Sequence, residues 1–221
     1  MIRSILITKS KNDKGVLYDY CLSQNIAIHY HSFLTFKQVN LPETQTSNVL
    51  FFSSKRAVDY FLQQTEISEN TSVACIGEST KQHLNAIGIE VNFVGNNPGQ
   101  PESVSKELAK WLGEKSCTIV LAKESKKSIL NHLNPSTSNI CVVYETYIHS
   151  KKIDQTFDCI VFTSPSNVEG YLKENKIHEN TRIIAWGETT KKYVQALQLP
   201  VWKTLKMAKE EEVVFLISKK Q

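Results

Sequence analysis

Phe52-Ser53-Ser54-Lys55-Arg56-Ala57-Val58 and Ile76-Gly77-Glu78-Ser79-Thr80 decide the fold, because both stretches return further down the chain. They come back as Phe162-Thr163-Ser164-Pro165-Ser166-Asn167-Val168 and Trp186-Gly187-Glu188-Thr189-Thr190. Adding 110 to each residue number lays Val49–Val91 on Cys159–Val201 without a gap, and 14 of the 43 paired positions are identical. Two copies are too few for a solenoid, which needs at least three, so a match of this length predicts two similar lobes.

Each copy reads strand, polar turn, helix, strand, polar turn, helix, strand. In the first copy Ala57, Val58, Phe61 and Leu62 form an apolar face at helical spacing, and Val168, Tyr171 and Leu172 repeat it in the second. Upstream, Ile2–Thr8 and Ile26–His31 read as strands, with Asn12 or Asp13 able to cap a helix running to about Ser23. Pro42 lies in the polar connection that follows. Between the copies, the loop Gly95–Pro101 leads to a helix through Leu108, Trp111 and Leu112. Then come a strand at Thr118–Ala122, a polar helix at about Ser125–Leu133 and a strand at Ile140–Tyr144. Tyr144–Gln155 reads as irregular, and a helix over Met207–Ser218 closes the chain. Alternating strands and helices predict parallel sheets covered on both faces, with four or five strands in each lobe.

The composition is that of an ordinary globular protein, with 41% hydrophobic and 22% charged residues. A net charge of +4 suits an anionic small ligand and falls short of a nucleic-acid stripe. No window is long and apolar enough for a signal peptide or a membrane helix, so a cytoplasmic protein is expected. Five cysteines without Cys-x-x-Cys spacing argue against disulfides or a zinc knuckle. Cys75, Cys117, Cys141 and Cys159 fall in or beside apolar runs as small hydrophobes.

The chemistry is expected in the polar turns, since ligands of parallel α/β sheets gather at the carboxyl ends of strands. Ser53-Ser54 and Thr163-Ser164 hold such positions, as do Gly77-Glu78-Ser79-Thr80 and Gly187-Glu188-Thr189-Thr190. Helix-opening amides there bind carboxylate or phosphate, and hydroxyls add neutral donors. Taken singly, each Ser or Thr is a plain helix cap; the doubling is what suggests four turns around one cleft. His29 and His31 share a strand face, but no third ligand accompanies them for a metal. Lys123, Lys126 and Lys127 read as a solvated cluster able to touch an acid. Tyr144 is a strand-end phenol that can donate a proton. Walker, Gly-x-Gly-x-x-Gly, His-Glu-x-x-His and Gly-x-Ser-x-Gly motifs are missing from the sequence.

In their order and spacing, these motifs, together with Val142-Val143-Tyr144-Glu145-Thr146, resemble the uroporphyrinogen-III synthase family over nearly the whole chain. The resemblance implies two α/β, flavodoxin-like parallel-sheet lobes joined by a two-stranded linker, with a cleft between them. Residues 1–32 and 149–221 would form a discontinuous domain and 37–144 an inserted one, with linkers near 32–36 and 145–150. It implies closure of linear hydroxymethylbilane to uroporphyrinogen III with inversion of the terminal ring and loss of water, without metal or organic cofactor. Loss of the hydroxymethyl hydroxyl gives an azafulvene, which the substituted carbon of the terminal ring attacks to form a spiro intermediate. Unaided, the bilane closes to the type I isomer.

The family's functional tyrosine falls on Tyr144, assisting hydroxyl departure. Substrate-binding positions fall on Ser54, Arg56, Gly77, Ser79, Thr80, Ser164, Ser166, Arg182, Gly187, Thr189 and Thr190, with Arg56 and Arg182 near the second-lobe loop. A monomer is expected, taking its substrate by transient hand-over from hydroxymethylbilane synthase, with no nucleic-acid or membrane partner. Two departures stand out: Thr8-Lys9-Ser10 where the family has Thr-Arg-Pro, and lysines and serines after Ala122 where it has glycine and arginine. They motivate an alternative, a non-catalytic two-lobed binding module for a polyanionic or tetrapyrrole ligand. A flavodoxin-like regulatory domain is weaker, lacking an acidic phosphorylation pocket and a flavin phosphate loop.

Overall fold

A computed structural model describes residues 2–10, 15–41 and 47–219; Asn12, Asp13 and Pro42, named above, lie outside them. The chain forms two compact units, a terminal one of Met1–Thr35 with Tyr147–Gln221 and a central one of Phe36–Thr146.

The terminal unit holds strands β1 (Ser4–Ile7) and β2 (Ala27–Tyr30), with helix α1 (Val16–Ser23) between them. The chain then runs through β3 (Leu34–Gln38) into the central unit, made of β4 (Val49–Phe52), α2 (Lys55–Leu62), β5 (Ser72–Cys75), α3 (Glu78–Ala86), β6 (Phe93–Val94), α4 (Pro101–Leu112), β7 (Cys117–Ala122) and β8 (Ser138–Ile148). The terminal unit resumes with β9 (Cys159–Phe162), α5 (Pro165–Leu172), β10 (Arg182–Ala185), α6 (Glu188–Ala196), β11 (Lys203–Thr204) and α7 (Glu210–Ser218).

One sheet has the order β11-β10-β9-β1-β2 and the other β3-β8-β7-β4-β5-β6. The pairs β1–β2, β1–β9, β9–β10 and β10–β11 are parallel, as are β4–β5, β4–β7, β5–β6 and β7–β8. β3 runs antiparallel to β8: Val39 N donates to Val143 O and His149 N to Phe33 O, so numbers fall on one strand as they rise on the other. Both sheets are one pattern threaded in two orders. β4-β5-β6 matches β9-β10-β11 through the repeat. The two further strands follow it in the central unit, as β7 and β8 beside β4, and precede it in the terminal unit, as β1 and β2 beside β9.

Both faces of each sheet are buried, as parallel sheets require. In β4, Leu50 and Phe52 pack under Ala57, Val58 and Phe61 of α2 and Leu84 of α3, while Val49 and Phe51 pack against Val104, Leu108 and Leu112 of α4. In the terminal unit, Ile5 and Ile7 meet Leu17 and Cys21 of α1 and Val213 of α7; Leu6, Ile160 and Phe162 meet Val168, Tyr171 and Val194 of α5 and α6. All five cysteines are free and buried. Burial pushes the Cys117 and Cys159 thiols up to about 12, so they act as small hydrophobes.

Several features differ from the sequence reading, the first being a sheet of six strands, β3 included, where four or five are expected. The polar helix expected at 125–133 is a single 3-10 turn, Ser128–Leu130, entered through a left-handed Lys127 at φ 58°. Ile129 and Leu133 still reach the core under α4, but the left-handed residue interrupts the helical backbone and only this one turn forms. The last strand of the central unit does not stop at Tyr144 but continues to Ile148, because β3 pairs along it. β6 is only Phe93–Val94 where the sequence reads as a strand over Glu90–Val94, and α7 begins at Glu210 rather than Met207.

Candidate active site

The turns after β4 and β9 are built alike. Ser54 Oγ accepts from Ala57 N at 3.1 Å and Ser164 Oγ from Asn167 N at 3.2 Å, so both serines cap the helices they precede. Ser53 Oγ donates to Val120 O (2.9 Å), and its repeat partner Thr163 donates through Oγ1 to Thr8 O (2.5 Å). These hydroxyls pin the points where each sheet's strand order reverses, the usual seat of a ligand in such sheets.

The turns after β5 and β10 have diverged. Gly77 and Gly187 each precede a helix with extended backbone. A Cβ on Gly77 would meet Pro98 Cβ and Cγ at 2.8 Å, whereas one on Gly187 would meet nothing within 4 Å. The loop after β6 therefore seats a proline against the α3 corner, while the α6 corner is open. Ser79 and Thr189 are exposed; Thr80 and Thr190 turn inward, 3% and 4% exposed.

Tyr144 owes its position to a β-bulge. Along β8, Cys141 and Val143 face the core under α2 and α3, and Val142 the core under α4. Strict alternation would send Tyr144 to the α4 side. The register slips instead: Leu121 pairs with Val142 and Ala122 with Tyr144, leaving Val143 unmatched. The extra residue turns Tyr144 onto the same face as Val143, level with the carboxyl end of β7. Tyr144 as a residue is 6% exposed, and its ring lies among aromatic side chains. Tyr60 stacks on it with centroids 5.3 Å apart and planes 23° from parallel, and Phe36 meets it edge-on at 6.0 Å. The Arg56 guanidinium carbon is 3.5 Å from the Phe36 ring centroid and 5.8 Å from that of Tyr144. Lys123 N donates to Tyr144 O at 2.9 Å, and Lys123 Nζ pairs with Glu145 at 2.5 Å.

The two basic positions expected near the second-lobe loop lie one in each unit. Arg56 belongs to α2 of the central unit, beside Tyr144. Arg182 opens β10 at its amino end, separated from the Gly187 corner by about 16 Å of extended chain. Its guanidinium lies over Trp202, 4.8 Å from the ring centroid. Ser166 is in the first turn of α5, next to the Ser164 cap.

Sequence reasoning missed Tyr60, and it missed the partner of Lys9. Lys9 Nζ is 2.5 Å from Glu210 Oε1 and 5.6 Å from the Trp186 ring centroid. Glu210 is 8% exposed, and its Oε2 also accepts from Leu17 N at 3.3 Å. The lysine standing in the family's arginine position is thus held at the end of β1. His31 and His149 pack edge to face at 5.7 Å. Among the described residues, no group of three or more His, Cys, Asp or Glu is gathered to hold a metal, and no helix is long and apolar enough to cross a membrane.

Two parallel-sheet units with paired polar turns at their strand ends define a two-lobed α/β protein suited to an anionic ligand. The comparisons with known proteins agree on one group. A family profile described as HEM4, uroporphyrinogen-III synthase HemD, matches residues 34–213, well over half of the chain. Among solved structures, uroporphyrinogen-III synthetase from Helicobacter pylori 26695 is similar at 20% identity and a TM-score of 0.71, over 98% of this chain and 100% of that one. A mutant uroporphyrinogen III synthase from the extremely thermophilic bacterium Thermus thermophilus is similar at 11% identity and a TM-score of 0.61, over 97% and 96%. At these identities the two structures speak for the fold. No curated protein matches the chain. The chain belongs to the uroporphyrinogen-III synthase family, the cyclising lyases that close hydroxymethylbilane to uroporphyrinogen III.

Proposed function

We propose that Tyr144 assists departure of the hydroxymethyl hydroxyl, giving it a hydrogen bond or its proton so that it leaves as water. The observation that carries this reading is the surroundings of the phenol: a ring fixed among Tyr60 and Phe36, with the Arg56 guanidinium 5.8 Å from its centroid. The azafulvene left behind is attacked by the substituted carbon of the terminal ring. The spiro intermediate then opens and recloses with that ring inverted.

What the protein must supply besides the acid is conformation. A flexible polyacid closes the wrong way when left alone, and holding it in one shape converts a lost competition into a won one. The open amino end of α6, with Gly187 and the exposed hydroxyl of Thr189, suits a substrate carboxylate, as do the first turns of α2 and α5. Ser54, Ser79, Ser164 and Ser166 add donors without charge, and Arg56 adds a cation. Gly77, Thr80 and Thr190 support these turns from within their own units. Arg182, at the far end of its strand, is left outside this assignment.

The two units act as the two domains of the enzyme. The protein works as a cytoplasmic monomer. Its substrate closes unaided to the type I isomer, which favours direct hand-over from hydroxymethylbilane synthase.

Tyr144→Phe tests the central assignment. The expected result is a fall in turnover of about 10- to 100-fold with an unchanged thermal melt. Turnover equal to that of the unaltered protein would remove Tyr144 from the mechanism.

A further inference from the structure

Tyr60 and Arg56 are four residues apart on α2, so both side chains lie on one face of the helix. That face looks onto β3 and β8. The Tyr60 ring covers a face of Tyr144, and Phe36 of β3 meets its edge. Tyr60 Oη donates to Phe36 O at 3.2 Å, tying the stacked pair to the strand that enters the central unit. The Arg56 guanidinium lies over the Phe36 ring, 3.5 Å from its centroid.

The repeat supplies an independent comparison. Adding 110 to Tyr60 gives Gly170, and adding 110 to Arg56 gives Ser166. A Cβ on Gly170 would come within 2.5 Å of Phe33 Cβ and 2.8 Å of His149 O, so backbone packs directly against α5 at that point. The neighbouring helix positions keep their type: Val58 and Val168, Phe61 and Tyr171 and Leu62 and Leu172 are all apolar. In α5 the close approach of Phe33 and His149 leaves room only for a glycine, whereas α2 carries at this position a tyrosine whose ring stacks on Tyr144. Packing needs common to the two sheets do not account for the aromatic ring.

We propose that Tyr60 is a positioning residue for Tyr144. Its ring fixes the plane of the Tyr144 ring, and its hydroxyl fixes its own ring to β3, so that the Tyr144 phenol is aimed before substrate arrives. The β-bulge at Val143 brings Tyr144 to the right face, and Tyr60 sets its angle there. This rests on the assignment of Tyr144 to the departing hydroxyl. Small displacements of a reacting group have large effects on rate, so the loss should fall on turnover rather than on substrate binding.

The test uses the full chain with freshly made hydroxymethylbilane, reading kcat, KM, the share of type III product and the thermal melt. Tyr60→Met fills the space with a flexible apolar chain and removes the stack; Tyr60→Leu is a second such change, and Tyr60→Phe keeps the ring and loses only the tether. Tyr60→Met and Tyr60→Leu are expected to lower kcat about 10-fold per folded molecule with KM within about twofold, and to raise the type I share as unaided closure competes. Tyr60→Phe is expected to recover most of the rate. Full kcat in Tyr60→Met or Tyr60→Leu, alongside a slow Tyr144→Phe, would overturn the proposal and leave the Tyr144 assignment standing. A fast Tyr144→Phe would overturn that assignment and the proposal with it. If only Tyr60→Phe folds, a rate as low as that of Tyr144→Phe would contradict the role given to the ring.

Discussion

Pro98 sits where a side chain on Gly77 would have to go, with its Cβ and Cγ 2.8 Å from the position of an added Cβ. The equivalent corner at Gly187 has no such neighbour. Neither glycine is in a left-handed conformation, so the difference is one of space and not of backbone strain. Gly77→Ala is expected to destabilise the protein by about 1–3 kcal/mol through overpacking against a stiff ring. Gly187→Ala is expected to shift stability by less than about 0.5 kcal/mol. Urea unfolding midpoints of the two variants check this; equal losses would contradict it.

Glu210 joins three pieces of chain, pairing with Lys9 after β1, accepting from Leu17 N in α1 and opening α7. Its side chain is 10% exposed and that of Lys9 30%, so screening by solvent is partial. Glu210→Gln leaves Lys9 without its counter-charge and is expected to cost about 1–3 kcal/mol. A double-mutant cycle with Lys9→Met measures the coupling, expected at about 1 kcal/mol or more. No coupling would mean that the pair is only a surface contact.

His31 gives the terminal unit an acid-sensitive point. Burial first, and then the nearby positive groups Lys151 and His149, hold its imidazole below the usual 6.5. His31 Nε2 and His149 Nδ1 are both buried without a hydrogen-bond partner among the described residues. Below pH 6.5 the unfolded chain takes up this proton before the folded one does, so stability falls as pH drops from 6.5 toward the depressed folded value. The melting temperature should decline between about pH 7 and pH 5, and His31→Phe should flatten part of that decline. An identical slope in the variant would assign the sensitivity elsewhere.

The two-sheet α/β architecture was legible because its signal is long and regular: a gapless internal repeat and alternating apolar runs. The bland reading of Ser54 and Ser164 as helix caps also holds, and does not exclude a second use of their hydroxyls. What the sequence concealed depends on contacts between distant segments. Lys9 and Glu210 are 201 residues apart, and no local pattern links them. The bulge at Val143 is one unmatched residue in an apolar run, and without it Tyr144 reads as the last residue of a strand. The polar stretch after Ala122 has helical spacing, yet a left-handed Lys127 breaks it and only one turn forms. The motif match puts Arg182 near the Ser164–Ser166 loop, yet it pairs with Cys159 at the opposite end of β9 from that loop. Tyr60 did leave a trace, since its repeat partner is a glycine between matching apolar neighbours. Differences between the two copies mark specialised positions as clearly as their identities mark the shared scaffold.

The central claim is that this chain folds a flexible polyacid so that its terminal ring is inverted on closure. The most direct measurement is the isomer composition formed from freshly made hydroxymethylbilane by the purified protein, beside a buffer control. The account predicts mainly type III porphyrinogen, against type I in buffer. A product mixture matching the control, even with the substrate tightly bound, would contradict it.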